Sequence, residues 1–196
     1  MKTKYFQTVR VRLTARQVLL AGGAMATLAA VGLTAAAVLP NADQAAVEQV
    51  VTNALTLEQT APVPPASYHG GLLPDQVEQA LEGSAKSNVS KYYTQPRLDV
   101  EINLLTNAIR GTKDGRSRYL AGGVSAVNFT DVAISADQAR VQGDAVVWNM
   151  GAQDLGHGLQ TYHPTGRILL DFRLVKRDGG WYISEEHTPF SPGQAP

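Results

Sequence analysis

Val18–Leu39 is an uninterrupted run of 22 residues without a charged side chain, and it constrains the chain more than any other feature. A helix of that length spans ~33 Å at 1.5 Å per residue, against a hydrocarbon core of ~30 Å. A lone segment inside a bilayer must satisfy its own backbone polar groups, which only a helix can do. Lys2, Lys4, Arg10, Arg12 and Arg16 precede the run and no acidic residue does. The positive-inside rule then keeps residues 1–17 in the cytoplasm and sends everything after Pro40 outside. A cleavable signal peptide shares the basic start, and Ala35-Ala36-Ala37 offers a small-residue cleavage site. Its apolar core would be only ~7–15 residues long, so a single-pass anchor is the preferred reading. Either way the following domain is exported.

Gly22, Ala26, Ala30 and Thr34 fall at four-residue steps. Such a stripe of small side chains suits close helix packing and a homo-oligomer in the membrane. A segment this rich in Ala and Gly also contains stripes through composition alone.

Roughly 150 residues follow the anchor, enough for one domain with a core of its own. The chain has no cysteine, which excludes disulfides, thiolate metal sites, a cysteine nucleophile and a cysteine-linked lipid. Its formal net charge is zero, but the part after residue 17 holds 12 Lys and Arg against 17 Asp and Glu, a net charge of −5. A nucleic-acid partner, which calls for a basic face, is not expected.

Beyond the anchor, Ala46, Val47, Val50, Val51, Ala54 and Leu55 recur at helical spacing and predict a helix over Asn41–Glu58, read as a stalk. Pro62, Pro64 and Pro65 end it, so residues 40–73 are expected to be stalk and linker. Two helices follow, from Pro74 to about Tyr93 and from Pro96 or Arg97 to Arg110, the second with the stripe Leu98, Ile102, Leu105 and Ile109. The period then changes. Strands are expected over Val124–Ser135, over Gln138–Met150, around Arg167–Lys176, and from Trp181 through Ile183, with Phe190 continuing the buried face. In the third, Ile168, Leu170, Phe172 and Leu174 alternate with Arg167, Asp171 and Arg173, marking a sheet with one buried face. Asp178-Gly179-Gly180 is a hairpin turn. Residues 74–190 therefore predict an α+β domain, helices packed on a curved antiparallel sheet of about four strands. Residues 191–196 are expected to be a frayed tail.

Helices first, then a meander closed by an alternating strand, a Gly turn at Asp178-Gly179-Gly180, Trp181 and Ile183, resembles the cone-shaped nuclear-transport-factor-like superfamily. The resemblance covers about Pro74 to His187. With an N-terminal anchor added, the layout is similar to the mammalian-cell-entry-associated membrane proteins and the conjugation-scaffold subunits of bacteria. It implies a non-catalytic interaction module of a bacterial envelope, transport or secretion assembly, with protein partners and without cofactor or metal. The superfamily leaves two alternatives. One is a lipid- or sterol-like ligand in the hollow of the cone. The other is an isomerase or dehydratase that uses a buried Asp, His or Tyr.

Asp154, His157, Tyr162 and His163 cluster in the stretch Gly151–Pro164. A His–carboxylate pair suits acid–base work, and two His with an Asp suit zinc. Glycines on both sides of His157 give a poorly preorganised backbone, so the plain reading is a solvated hairpin loop. Arg116 and Arg118 belong to a basic cluster after the second domain helix. These six residues are the candidate ligand or partner surface. In Glu185-Glu186-His187, Glu185 and His187 share a strand face and Glu186 takes the other; all three are expected at a solvated strand end.

Overall fold

The computed structural model describes residues 42–156 and 158–193. The expected anchor Val18–Leu39, His157 and the last three residues lie outside the described residues. Among the described residues no helix is long and apolar enough to cross a membrane.

The folded unit begins at Ala42. Helices α1 (Ala42–Thr60), α2 (Asp75–Val89) and α3 (Arg97–Arg110) precede strands β1 (Ser117–Ser135), β2 (Gln138–Asp154), β3 (Leu159–Tyr162), β4 (Thr165–Arg177) and β5 (Gly180–His187). The strands form one antiparallel sheet of five, in the order β1-β2-β4-β5, with β3 paired to β2 beyond the start of β4. The α+β expectation holds, with one strand more than expected. The extra strand arises because residues 151–154 and 159–162, read as a loop for their glycines, pair as an arm in the register Gly151↔Tyr162 to Asp154↔Leu159.

The alternation in β4 is as expected. Ile168, Leu170, Phe172 and Leu174 are buried, while Arg167 and Arg173 are exposed. On that outer face each charge finds its opposite across a strand: Arg140 with Asp171, Arg167 with Asp144, and Arg173 with Glu185. Asp178 and Gly179 take φ of 50° and 79°, the left-handed pair that a tight hairpin needs. Trp181 is 4% exposed, and its Nε1 donates to Asp43 Oδ1 at 3.2 Å. Lys176 Nζ reaches the same oxygen at 2.6 Å. That hydrogen bond holds the Asp43 carboxyl below its ordinary range. Phe190 departs from expectation. It is 45% exposed, because β5 ends at His187 and only an isolated bridge to Ile168 follows.

Helix α1 corrects a second expectation. Val47, Val51, Ala54 and Leu55 are each 0% exposed, so this helix is part of the core and not a stalk outside it. Val47, Val51 and Leu55 each contribute ~1.5–3 kcal/mol on burial, and Ala54 less. The core also holds Leu170, Phe172, Trp181 and Ile183, so the helices and the sheet share one apolar core.

Candidate functional site: an acidic recess

The apolar stripe of α1 runs through Val47, Val51, Ala54 and Leu55 and then, one turn on, presents Glu58. Helix α3 does the same: Glu101 lies one turn before Leu105 on its buried side and is 3% exposed. On β5, simple alternation from Trp181 and Ile183 would turn Glu185 inward. A bulge intervenes, since Arg173 faces Glu185 but Leu174 faces Ile183, and the skipped residue turns Glu186 inward instead. The Glu186 side chain is 2% exposed, which corrects its reading as a solvated residue. Tyr93 arrives from the segment after α2. Ile183 N donates to Tyr92 O at 2.7 Å and Thr94 N donates to Ile183 O at 2.9 Å, which pins that segment along β5.

These three carboxyl groups converge. One oxygen from each of Glu58, Glu101 and Glu186 lies within 4.8 Å of the others. Tyr93 Oη is 2.9 Å from Glu186 Oε2 and also contacts Glu58 Oε1. Arg97 Nη2 donates to Glu101 Oε2 at 2.9 Å and forms an ion pair with Glu186 Oε2 at 3.1 Å. Thr188 Oγ1 donates to Glu186 Oε1 at 3.0 Å. The group borders a recess of about 290 Å³, with Tyr119 and the half-exposed Leu104 among its other walls. A smaller recess of about 190 Å³ adjoins it through Glu58, Gln59, Asn149 and Thr188 and reaches Trp148 and Phe190.

Burial, reinforced by Glu186, raises the Glu101 carboxyl to about 7 against the pull of Arg97. Burial and the neighbouring Glu186 and Glu101 push Glu58 well above the ordinary carboxylate range. Burial, with Glu58 close by, likewise raises the Tyr93 phenol. Three converging carboxylates are the donor set a hard cation takes. Here Arg97 supplies positive charge to two of them, so the cluster is committed to binding its own chain together.

Of the six candidates read from the sequence, His157 lies outside the described residues and the other five lie elsewhere. Asp154 and Arg116 meet through backbone, Asp154 N donating to Arg116 O at 2.7 Å. The Asp154 carboxylate accepts from Gly156 N at 2.8 Å, and Arg116 pairs with Asp114 at 3.9 Å. Tyr162 lies over Gly151, where a Cβ would collide with its ring. His163 stacks on Trp148, with centroids 5.3 Å apart. Asp154, Tyr162 and His163 are exposed and make these separate contacts. Arg118 is not on the surface. It is 0% exposed and its Nη1 donates to the Thr112 carbonyl. Burial lowers its pKa against the pull of Asp114, and no partner meets Nε or Nη2 among the described residues. The sequence hid this because β1 opens at Ser117, seven residues before Val124, where the apolar alternation signals a strand.

No family model matches the chain. No curated protein matches it either. Among solved structures, the chain is similar to the intermembrane space region of the chloroplast protein ARC6, at 16% identity and a TM-score of 0.48 over 78% of this chain and 100% of that one. It is similar to CagV, a VirB8 homolog of the T4SS from Helicobacter pylori strain 26695, at 11% identity and a TM-score of 0.42, covering 73% and 98% of the two chains. It is also similar to an Ntf2-like protein involved in plasmid conjugation, at 13% identity and a TM-score of 0.35, covering 76% of this chain and 52% of that one.

Proposed function

We propose that this chain is a membrane-tethered, non-catalytic interaction module that works outside the cytoplasm, within a bacterial envelope, transport or secretion assembly. The observation that carries the reading is the buried apolar core between the helices and the sheet. Leu170, Phe172 and Trp181 are 3%, 0% and 4% exposed and occupy the space that a lipid- or sterol-like ligand would need. The adjoining recess is lined by carboxyl groups, a poor lining for an apolar molecule. Those carboxyls are held by Tyr93 and Arg97 of the same chain, which leaves them tied to structure and not to a substrate.

The surface supports a docking role. Leu155 and Leu159 at the end of the β2–β3 arm are 56% and 46% exposed, and a docking partner would cover them. The tether rests on Val18–Leu39 and its basic flank, as argued from the sequence.

Copurification tests the reading. Full-length chain extracted in detergent from its own membranes is expected to bring down the same envelope proteins reproducibly. Leu155→Ser with Leu159→Ser is expected to lose at least one of them while the chain still folds. A clean, partnerless monomer under several extraction conditions would overturn the proposal, as would a C-terminal reporter active only on the cytoplasmic side.

A further inference from the structure

We propose that Glu58, Tyr93, Glu101 and Glu186 form a proton-operated latch that fastens the end of α1 to α3 and β5. The inference goes beyond the interaction role and does not depend on it.

Hydrogen-bond stoichiometry carries the argument. The Tyr93 oxygen is in contact with carboxyl oxygens of both Glu58 and Glu186. A phenol has one proton to donate. If it goes to Glu186, the contact with Glu58 is a hydrogen bond only when Glu58 is itself protonated and donates to the phenol oxygen. If it goes to Glu58, the same demand falls on Glu186. With every carboxyl ionised, one of the two contacts sets a bare carboxylate oxygen against an oxygen lone pair.

Charge counting gives the same answer. Three carboxyl groups each place an oxygen within 4.8 Å of the others, and among the described residues Arg97 is the one guanidinium that reaches them. Like charges this close repel strongly even when the effective dielectric is well above that of a dry interior. The groups facing the cluster leave no other source of relief. Glu58 comes from α1, Tyr93 from the segment after α2, Arg97 and Glu101 from α3, Glu186 from β5, and β1 adds the neutral Tyr119. Among the described residues no lysine or histidine lines the recess. The cluster therefore retains at least one proton near neutrality. The upward displacement of Glu101 to about 7, and of Glu58 in the same direction, agrees with this.

The sign follows from linkage. A carboxyl whose folded pKa lies above its ordinary 4.5 stabilises fully below that value and loses its contribution as pH rises through about 7. Asp43 and Asp171, whose pKa values are lowered, lose theirs only as the pH falls below the ordinary carboxylate range. The window between mildly acidic and mildly alkaline pH therefore belongs to the latch. Proton release sets the last turn of α1 against α3 and β5. In the chain, α1 is the helix that follows the apolar segment.

The test uses the full-length chain in detergent. Its unfolding midpoint is expected to fall by roughly 5–10 °C between about pH 5 and about pH 8.5, the scale that a few kcal/mol gives for a chain of this size. Glu58→Gln supplies a permanent neutral donor to Tyr93, and Glu101→Gln removes a charge beside Arg97. Each is expected to cut that fall by at least half. An infrared band of a protonated carboxyl is expected in the wild type at neutral pH and should weaken in either variant. A wild-type midpoint that stays flat or rises across the window would overturn the latch. So would the same fall in wild type and both variants, or no protonated-carboxyl band at neutral pH.

Discussion

Phe172→Ala is expected to lower the unfolding free energy by about 3–5 kcal/mol, the range for deleting a fully buried aromatic ring. Phe172 is 0% exposed and stands between Leu170 and Leu174 on the inner face of β4. Across the sheet its register partner on β2 is Val141, also 0% exposed. The ring has no polar atom to compensate, and its neighbours come from both helices and strands, so the space cannot close by moving one side chain. Urea unfolding of the full-length chain in detergent would measure the loss as a lower midpoint at an unchanged slope. The outcome also bears on the proposed function. A domain shaped around a ligand would keep a loosely filled interior and tolerate the truncation at a cost well under that range. That result would reopen the apolar-ligand reading.

Gly122→Ala is expected to have the second large effect, and it acts where α1 meets the sheet. A Cβ on Gly122 would fall well inside contact distance of the Gln59 carbonyl oxygen, which belongs to the backbone of α1 and not to a pliable side chain. The strand conformation itself allows alanine, so the cost is steric. Overpacking of this kind costs ~1–3 kcal/mol, and a backbone obstacle puts the change at the upper end. Gln59 is the neighbour of Glu58, so the substitution should also loosen the acidic recess. Amide exchange in the last turn of α1 should accelerate, while exchange in β4 stays as it was. Gly83→Ala provides the contrast. It lies inside α2 with nothing within 4 Å of the added carbon and should stabilise by ~0.5–1 kcal/mol through helix propensity. Equal stability of Gly122→Ala and wild type would show that α1 is free to shift.

How much of this was legible depended on the distance over which each pattern operates. β4 announces itself because its apolar and charged side chains alternate without a break from Arg167 to Leu174. The stripe of α3 is equally plain. Helix α1 was seen as a helix but misjudged as a stalk, since periodicity shows that a face is apolar and not what covers it. The β2–β3 arm was hidden by Gly151, Gly156 and Gly158, which read as loop although the first admits the Tyr162 ring and the others form the turn. The acidic cluster was the hardest to see. Glutamate is seldom buried without a partner, so Glu58 and Glu101 on apolar faces read as exceptions at the edge of a stripe. The contacts that join them cross the chain: Tyr93 is 35 residues from Glu58 and 93 from Glu186, and Arg97, four residues before Glu101, also reaches Glu186. The one local hint was that an acid occupied an inward position in both α1 and α3. Glu186 gave no such hint, because only the bulge decides which of two adjacent glutamates faces in.

The cross-strand pairing of arginines with acids on the outer face of the sheet has a consequence for association. With Arg140, Arg167 and Arg173 each cancelled by a neighbouring carboxylate, that surface projects little field beyond ~8–10 Å. It cannot draw in a polyanion or a cationic protein from a distance. Encounters there would be governed by shape and by short-range fit, at rates that vary little with ionic strength.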